Sequence, residues 1–199
     1  ERVRERVGKR YPVGFRFSAD EYLPDGVTVE TGVEIGKTMD QAGVDYLHVS
    51  ASTGKPGYKS GITAMYEERG TMIPLAEKVK KAVDTPVIAV GCLHYPALAE
   101  EVLQTGKADM IAVARGLIAD PYIVNKIKSG RTDELLPCIR CNECSKVLGM
   151  DREIRCTVNP LAARESSVRI EKTSAPKSVM VVGGGPAGMV AARIARLRG

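Results

Sequence analysis

Thr85-Pro-Val-Ile-Ala-Val-Gly91 decides the fold. Its β-branched centre, Val87 to Val90, is strand material; the proline before it ends a helix and the glycine after it opens a turn. Upstream, Met72, Leu75, Ala76, Val79, Ala82 and Val83 form an apolar stripe at helical spacing. Downstream, Leu98, Ala99, Val102 and Leu103 mark another helix that closes at Gly106, and residues 110–114 read as the next strand. The alternation also extends toward the N-terminus, with strands predicted at 13–17 and 45–49. Thr28 is placed to cap the helix between them, which runs to about Ala42 with Val29, Val33 and Met39 at near-helical spacing. Asp120 before Pro121 reads as a cap with proline at the first helical position, starting a helix that stops at Gly130. Consecutive βα units predict an α/β fold with a parallel sheet. Lacking a glycine fingerprint of their own, they fit the C-terminal half of a (β/α)8 TIM barrel; an open doubly wound sheet is the competing arrangement.

Composition narrows the function classes. Hydrophobic residues make up 44% and charged residues 27% of 199 residues, enough for a large core in a globular domain or a domain and a half. The 29 basic and 24 acidic residues leave a net charge of +5, but no lysine/arginine block stands out, so nucleic acid is not an expected partner. No apolar run approaches the ~20 residues that span a bilayer and no signal peptide opens the chain, so no membrane partner is expected. Five cysteines, an odd number, then read as reduced thiols in a cytoplasm. Both ends look cut, since Glu1 starts inside a helix-like stretch and Gly199 lies one helix into a nucleotide-binding pattern. These residues assign no oligomeric state.

Cys138, Cys141, Cys144 and Cys156 follow the pattern C-x2-C-x2-C-x11-C. Three thiolates on so tight a loop can wrap one face of a metal cluster while the fourth closes it, which favours a 4Fe–4S centre. Zinc is the rival, although structural zinc sites usually pair two C-x2–4-C knuckles. Cys92 stands outside the set and reads as a small buried or loop residue.

Gly183, Gly185 and Gly188 form a G-x-G-x-x-G turn between a strand predicted at 178–182 and a helix through Ala191, Ile194 and Leu197. In that context the turn matches a dinucleotide fingerprint, in which backbone amides and the helix dipole hold a pyrophosphate. A plain tight turn is the alternative, and FAD and NAD(P) are not separated locally. The expected organisation is a half-barrel at 1–137, a cysteine-rich cluster segment at 138–165, a polar linker at 166–177 and the first βα unit of a Rossmann-like domain at 178–199.

Two strand ends carry phosphate-friendly chemistry: Gly91-Cys92, and Arg115-Gly116. Glycine lets backbone approach a phosphate and Arg115 can supply a charge-assisted clamp, as in the phosphate sites of βα barrels, or simply sit at the surface. Arg16, inside a strand, needs a partner that is either a structural carboxylate or a cofactor. His48 reads as a hydrogen-bonded core or rim residue, His94 as a capping or exposed one, and Tyr58 as a plain loop tyrosine. No nucleophile–base or paired-carboxylate constellation emerges.

The stretches Val13-Gly-Phe-Arg-Phe-Ser, Gly43-Val-Asp-Tyr-Leu-His-Val-Ser, Pro86-Val-Ile-Ala-Val-Gly and Ala108-Asp-Met-Ile-Ala-Val-Ala-Arg lead to Cys138-Ile-Arg-Cys, Cys156-Thr-Val-Asn-Pro and Val182-Gly-Gly-Gly-Pro-Ala-Gly. In that order they resemble the iron–sulfur branch of the Old Yellow Enzyme family, which includes 2,4-dienoyl-CoA reductase, enoate reductases and trimethylamine dehydrogenase. The resemblance implies an FMN-binding barrel, a 4Fe–4S segment and a domain holding FAD or ADP, with strands five to eight of the barrel in this chain. By the same resemblance Arg16 lies against the flavin pyrimidine edge, and Gly91, Cys92, Ala114 and Arg115 hold the FMN phosphate. Electrons from NAD(P)H would enter at FAD, cross the cluster and reach FMN, which reduces an activated C=C bond of a small unsaturated substrate. An amine dehydrogenase of the trimethylamine dehydrogenase type, or a non-catalytic four-cysteine zinc module, are the other readings. The x2-x2-x11 spacing is one residue shorter than the usual dienoyl-CoA reductase loop and closer to the trimethylamine dehydrogenase form. The family's proton-donating tyrosine belongs to the first half-barrel, so no catalytic acid is assigned. A half-barrel alone leaves sheet edges open and is expected to be inactive.

Overall fold

Four short parallel strands carry the first part of the chain: β1 (Gly14–Ser18), β2 (Tyr46–Ser50), β3 (Val87–Val90) and β4 (Met110–Ala112), ordered β1-β2-β3-β4 in one sheet. The computed structural model describes residues 2–199. Helices α2 (Val29–Gln41), α3 (Ile73–Lys80) and α4 (Pro96–Gln104) make the crossovers, as parallel pairing requires. A short helix, α1 (Arg2–Val7), precedes the sheet.

Register decides which side chains face the helices. Phe15, Leu47 and Val87 stand in line, as do Phe17, Val49, Ala89 and Ile111. These rows pack against Ile73, Leu75, Ala76, Val79 and Val102 to form the core. Full burial of each larger aliphatic contributes about 1.5–3 kcal/mol. The opposite face carries Arg16, His48, Ile88 and Met110 in one row, followed by Val90 and Ala112. Alternation along each strand therefore assigns the polar pair Arg16 and His48 to the side away from the helices.

Local chemistry explains most boundaries. Thr28 caps α2 as its sequence position suggests, its hydroxyl accepting from Thr31 N. Proline sits in the first turn of α3 and of α4, where its missing N–H costs nothing. The carboxylates of Asp45 and Asp109, each just before a strand, accept from the amides of Val13 (2.6 Å), just ahead of β1, and Val87 (2.8 Å), the first residue of β3. Asp40 likewise accepts from both the amide and the hydroxyl of Thr85 ahead of β3.

Several expectations need correction. The fourth strand stops at Ala112, not Ala114, because the chain turns into a short helix, α5 (Arg115–Ala119). Helix α6 spans Ile123–Lys128 and is not capped at Asp120. Instead, buried Asp120 accepts from the amides of Tyr122 and Leu136 and pairs with Lys126 at 2.7 Å, tying α6 to the segment that follows it. The cysteine-rich stretch contains a helix, α7 (Glu143–Leu148), which its lack of periodicity conceals. Residues 178–182 form no ladder; among the described residues no strand pairs with them, and Val179, Met180 and Val182 are exposed.

The chain divides into two compact units, one ending at Pro160 and the other Leu161–Gly199. The second unit is built on α8 (Pro186–Arg198), with Thr173 N donating to Arg198 O at 2.8 Å. No helix among the described residues is long and apolar enough to cross a membrane.

Candidate functional site

The C-terminal ends of the strands open on a cavity of ≈ 220 Å³. Arg16 of β1, Gly91 and Cys92 after β3, and Ala114 and Arg115 after β4 all line it. Residues that are far apart in sequence thus share one wall. They meet there because a parallel sheet brings the ends of its strands, and the loops that leave them, to one side.

The backbone at the β3 exit is unusual. Gly91 has φ +124° and Cys92 φ +59°, two successive residues in the left-handed half of conformational space. A Cβ at Gly91 would lie 3.1 Å from Met72 Cε, so this wall is formed by bare backbone. The left-handed Cys92 costs about 1 kcal/mol or more and persists only because its surroundings dictate it.

Arg115 reaches across three segments. Its guanidinium donates to Thr63 O at 2.7 Å and to Asn142 Oδ1, and lies 3.7 Å from Cys92 Sγ. Arg16 contacts Ser50 Oγ at 3.4 Å and flanks a second, more open cavity of ≈ 510 Å³ lined by Ser18, Ser50, Ser52 and Ser60. Its neighbour is thus a hydroxyl on the next strand, where a structural carboxylate was one of the two expectations.

The cysteine segment folds against this rim. His94, expected at a helix cap or at the surface, is buried, its Nε2 donating to Cys138 O at 3.1 Å. Burial, the largest cause, holds its imidazole below the usual value, neutral near pH 7; the Cys138 carbonyl acts against it, and Arg115, Arg69 and Arg140 act with it. Ser145, immediately after Cys144, lines the same cavity as Arg115. Arg140 carries no functional signal in the sequence, yet it is tightly placed. It is buried, sits at φ +58°, and donates to Glu67 O at 2.6 Å and Met65 O at 2.9 Å.

The four thiols share one neighbourhood but do not close on a single point. Cys138 is buried, and its thiol is pushed up by that burial, with Cys144 and Cys156 close enough to add to the effect. Arg140 N donates to Cys138 Sγ at 3.4 Å, and Cys141 Sγ lies 3.2 Å from Thr157 Oγ1, next in sequence to Cys156. Among the described residues no group of three or more His, Cys, Asp or Glu side chains is gathered to hold a metal ion. The donor set nevertheless fits a sulfur-ligated centre: four soft thiols, an amide aimed at one of them, and left-handed residues at Arg140 and Asn142 that turn the loop. His48 departs from expectation, since its Nε2 is buried with no hydrogen-bond partner.

In the second unit the glycine turn leads directly into α8, with Gly185 at the N-cap. Gly183 has φ +106°, and a Cβ on Gly188 would lie 1.9 Å from Gly183 O. Only glycine permits that approach of helix to turn.

Comparison with known proteins gives the family. The chain is similar to the NADH oxidase of Thermoanaerobacter brockii, at 46% identity over all of this chain and 31% of that protein. It is 35% identical to the cinnamate reductase of Clostridium sporogenes, over all of this chain and 32% of the relative. A solved structure of 2-naphthoyl-CoA reductase with 2-naphthoyl-CoA superimposes with a TM-score of 0.89 at 30% identity, covering 99% of this chain and 30% of that one. The chain therefore spans about a third of the length of the proteins it matches. Residues 1–134, the sheet with the cavity at its strand ends, match the model of the NADH:flavin oxidoreductase / NADH oxidase family, and the chain belongs to that family.

Proposed function

We propose that this chain contributes the C-terminal half of an FMN-binding (β/α)8 barrel, a 4Fe–4S segment and the first unit of a dinucleotide-binding domain. The whole would be an NAD(P)H-dependent reductase of activated C=C bonds. One observation carries the reading: Arg16, Gly91, Cys92, Ala114 and Arg115 line one cavity whose wall also includes Ser145 of the cysteine segment.

When bound, FMN would supply hydride chemistry, FAD electron exchange with a nicotinamide, and a 4Fe–4S cluster single-electron chemistry. The chain's own residues supply the rest. Arg16 presents a positive charge to the cavity, which would favour the negative charge of a reduced flavin ring electrostatically. The bare backbone at Gly91 and Cys92 admits a phosphate, and Arg115 offers it charge-assisted donors. Cys138, Cys141, Cys144 and Cys156 are the thiolate ligands, with the Arg140 amide donating to the sulfur of Cys138 behind them. Gly183, Gly185 and Gly188 cradle a pyrophosphate at the start of α8. The substrate class is a small unsaturated acid or thioester, in line with the names of the cinnamate and 2-naphthoyl-CoA reductases. A cytoplasmic setting suits reduced thiols.

The test is made on the full-length protein that carries this chain. Iron with acid-labile sulfide, a broad absorbance near roughly 400 nm, and FMN released on denaturation are expected. So is NAD(P)H-dependent reduction of an α,β-unsaturated carboxylate. Stoichiometric zinc without sulfide, or absence of flavin, overturns the reading. Oxidation of an amine without alkene reduction moves the assignment to the amine dehydrogenase type.

A further inference from the structure

Arg140 lies inside the Cys138–Cys141 knuckle, yet its side chain leaves the cysteine segment altogether. Its two terminal nitrogens take the carbonyls of Glu67 (2.6 Å) and Met65 (2.9 Å), residues 73 and 75 positions away in sequence. Those carbonyls belong to a tight turn: Glu67 N donates to Ala64 O at 3.2 Å, and the Glu67 carboxylate accepts from Ala64 N. Immediately before it, buried Thr63 gives its carbonyl to Arg115 at 2.7 Å, and Arg115 also donates to Asn142 of the cysteine segment. Gly61 and Ile62, just upstream, line the cavity that holds Arg115.

The polypeptide between β2 and α3 is long and contains no regular element. Its turn at 64–67 has few local bonds with which to hold itself, so arginines from elsewhere supply the fixed points. A buried guanidinium keeps both carbonyl bonds only while its own backbone is held, because an arginine immobilised in one rotamer gives up its side-chain freedom. The backbone of Arg140 sits in a left-handed conformation that its surroundings must dictate, and its amide is tied to Cys138 Sγ at 3.4 Å. Whatever fixes Cys138 therefore fixes Arg140, and through it the turn.

We infer that Arg140 is a positioning residue that couples occupancy of the cysteine set to the order of residues 63–67, and hence to the Gly61–Ile62 wall of the strand-end cavity. A centre bound by the thiols and a cofactor bound at the strand ends would then be linked through a rigid contact. This coupling rests on the four cysteines holding one metal centre, but not on which metal it is.

Amide hydrogen exchange on the metal-loaded full-length protein tests it, read on peptides spanning Ala64 and Glu67. Removing the metal with a chelator should raise exchange there roughly tenfold or more, with the core strands β2 and β3 unchanged. Arg140→Gly relieves the left-handed strain and keeps the amide. It should retain its metal and still show the raised exchange before any chelator is added. Arg140→Lys keeps the charge but cannot span both carbonyls, and should behave the same way. The coupling is overturned if exchange at 64–67 stays within twofold of wild type in metal-loaded Arg140→Gly or Arg140→Lys. It is equally overturned if chelation leaves that turn protected in the wild type, an arm that needs no variant. Metal and sulfide content, measured on the same samples, reports separately on the iron–sulfur reading: zinc with intact coupling sinks that reading and spares this one.

Discussion

Val87 and Asp109 clasp each other twice: Val87 N donates to Asp109 Oδ2 at 2.8 Å, and Asp109 N donates back to Val87 O at 2.9 Å. Val13 and Asp45 repeat the clasp at 2.6 and 2.8 Å. Each aspartate stands just before a strand and closes the foot of the neighbouring one, so the same carboxylate satisfies an amide and sets the register. Lys80 reinforces the first clasp, at 2.9 Å from Asp109. Burial would raise the Asp109 carboxyl, but the Val87 amide and Lys80 outweigh it and hold it below its ordinary value. The sign follows: this stability is present above the unfolded carboxylate value near 4 and is lost as pH falls below it. Asp109→Ala should lower stability by about 1 kcal/mol at pH 7, measured by urea unfolding, and by less at pH 3.

Asp120 is the more severe site. It is 1% exposed, and Lys126 is its ion-pair partner at 2.7 Å. Removing the buried carboxylate leaves the Tyr122 and Leu136 amides without their acceptor and Lys126 with only the Glu134 carbonyl. Asp120→Ala should therefore cost about 3–5 kcal/mol, and Asp120→Asn, which can still accept from the Tyr122 and Leu136 amides, distinctly less. Thermal unfolding of the two variants checks the order.

His48 gives a pH dependence of opposite origin. Burial and the neighbouring Arg16 charge hold its imidazole below the ordinary value, and its Nε2 has no partner. Folding therefore favours the neutral ring. As pH falls through about 6.5 the unfolded chain takes up a proton that the folded chain refuses, and stability drops until the folded value is passed. His48→Leu should remove that component. The difference in urea midpoint between pH 7.5 and 5.5 should be smaller in the variant than in the wild type.

Much of the fold is legible in the sequence because it depends on short-range chemistry. Val87 to Val90 and the Thr28 cap state their own conformations, as does the stripe that begins at Met72, although its helix stops at Lys80, short of Ala82 and Val83. What escapes depends on partners distant in sequence. A β-branched run at 178–182 reads as a strand, but a strand exists only with a neighbour to bond, and among the described residues none pairs with it. His94 has the look of a surface residue because nothing near it announces that Cys138 O will come within 3.1 Å. Arg140 gives no signal because its acceptors are main-chain carbonyls, which every residue has. The cavity residues, by contrast, lie at strand exits, where glycine and arginine after an apolar run stand out.

The glycine turn separates two demands that one motif makes. Gly188 lies so close to Gly183 O that any Cβ must displace backbone, whereas a Cβ on Gly185 meets nothing within 4 Å and its φ of −71° suits any residue. Gly188→Ala should disorder the start of α8. Gly185→Ala should leave helicity and unfolding temperature unchanged, yet weaken dinucleotide binding at least tenfold if a pyrophosphate packs there. Nucleotide affinity and circular dichroism, measured on both, decide it. Equal binding by Gly185→Ala reduces the turn to a structural device.

The five cysteines should divide four to one. Cys92 lies in the cavity wall beside Arg115, and its side chain stands outside the cysteine segment. Cys92→Ala should keep the full complement of iron and sulfide while loosening FMN, because the substitution alters a wall residue without touching a ligand. Cys156→Ala should do the reverse in sequence: the centre is lost first, since three thiolates leave one corner open. Iron content per chain, read beside flavin content per chain, distinguishes the two. Should Cys92→Ala lose iron while Cys156→Ala retains it, the ligand set as assigned is wrong.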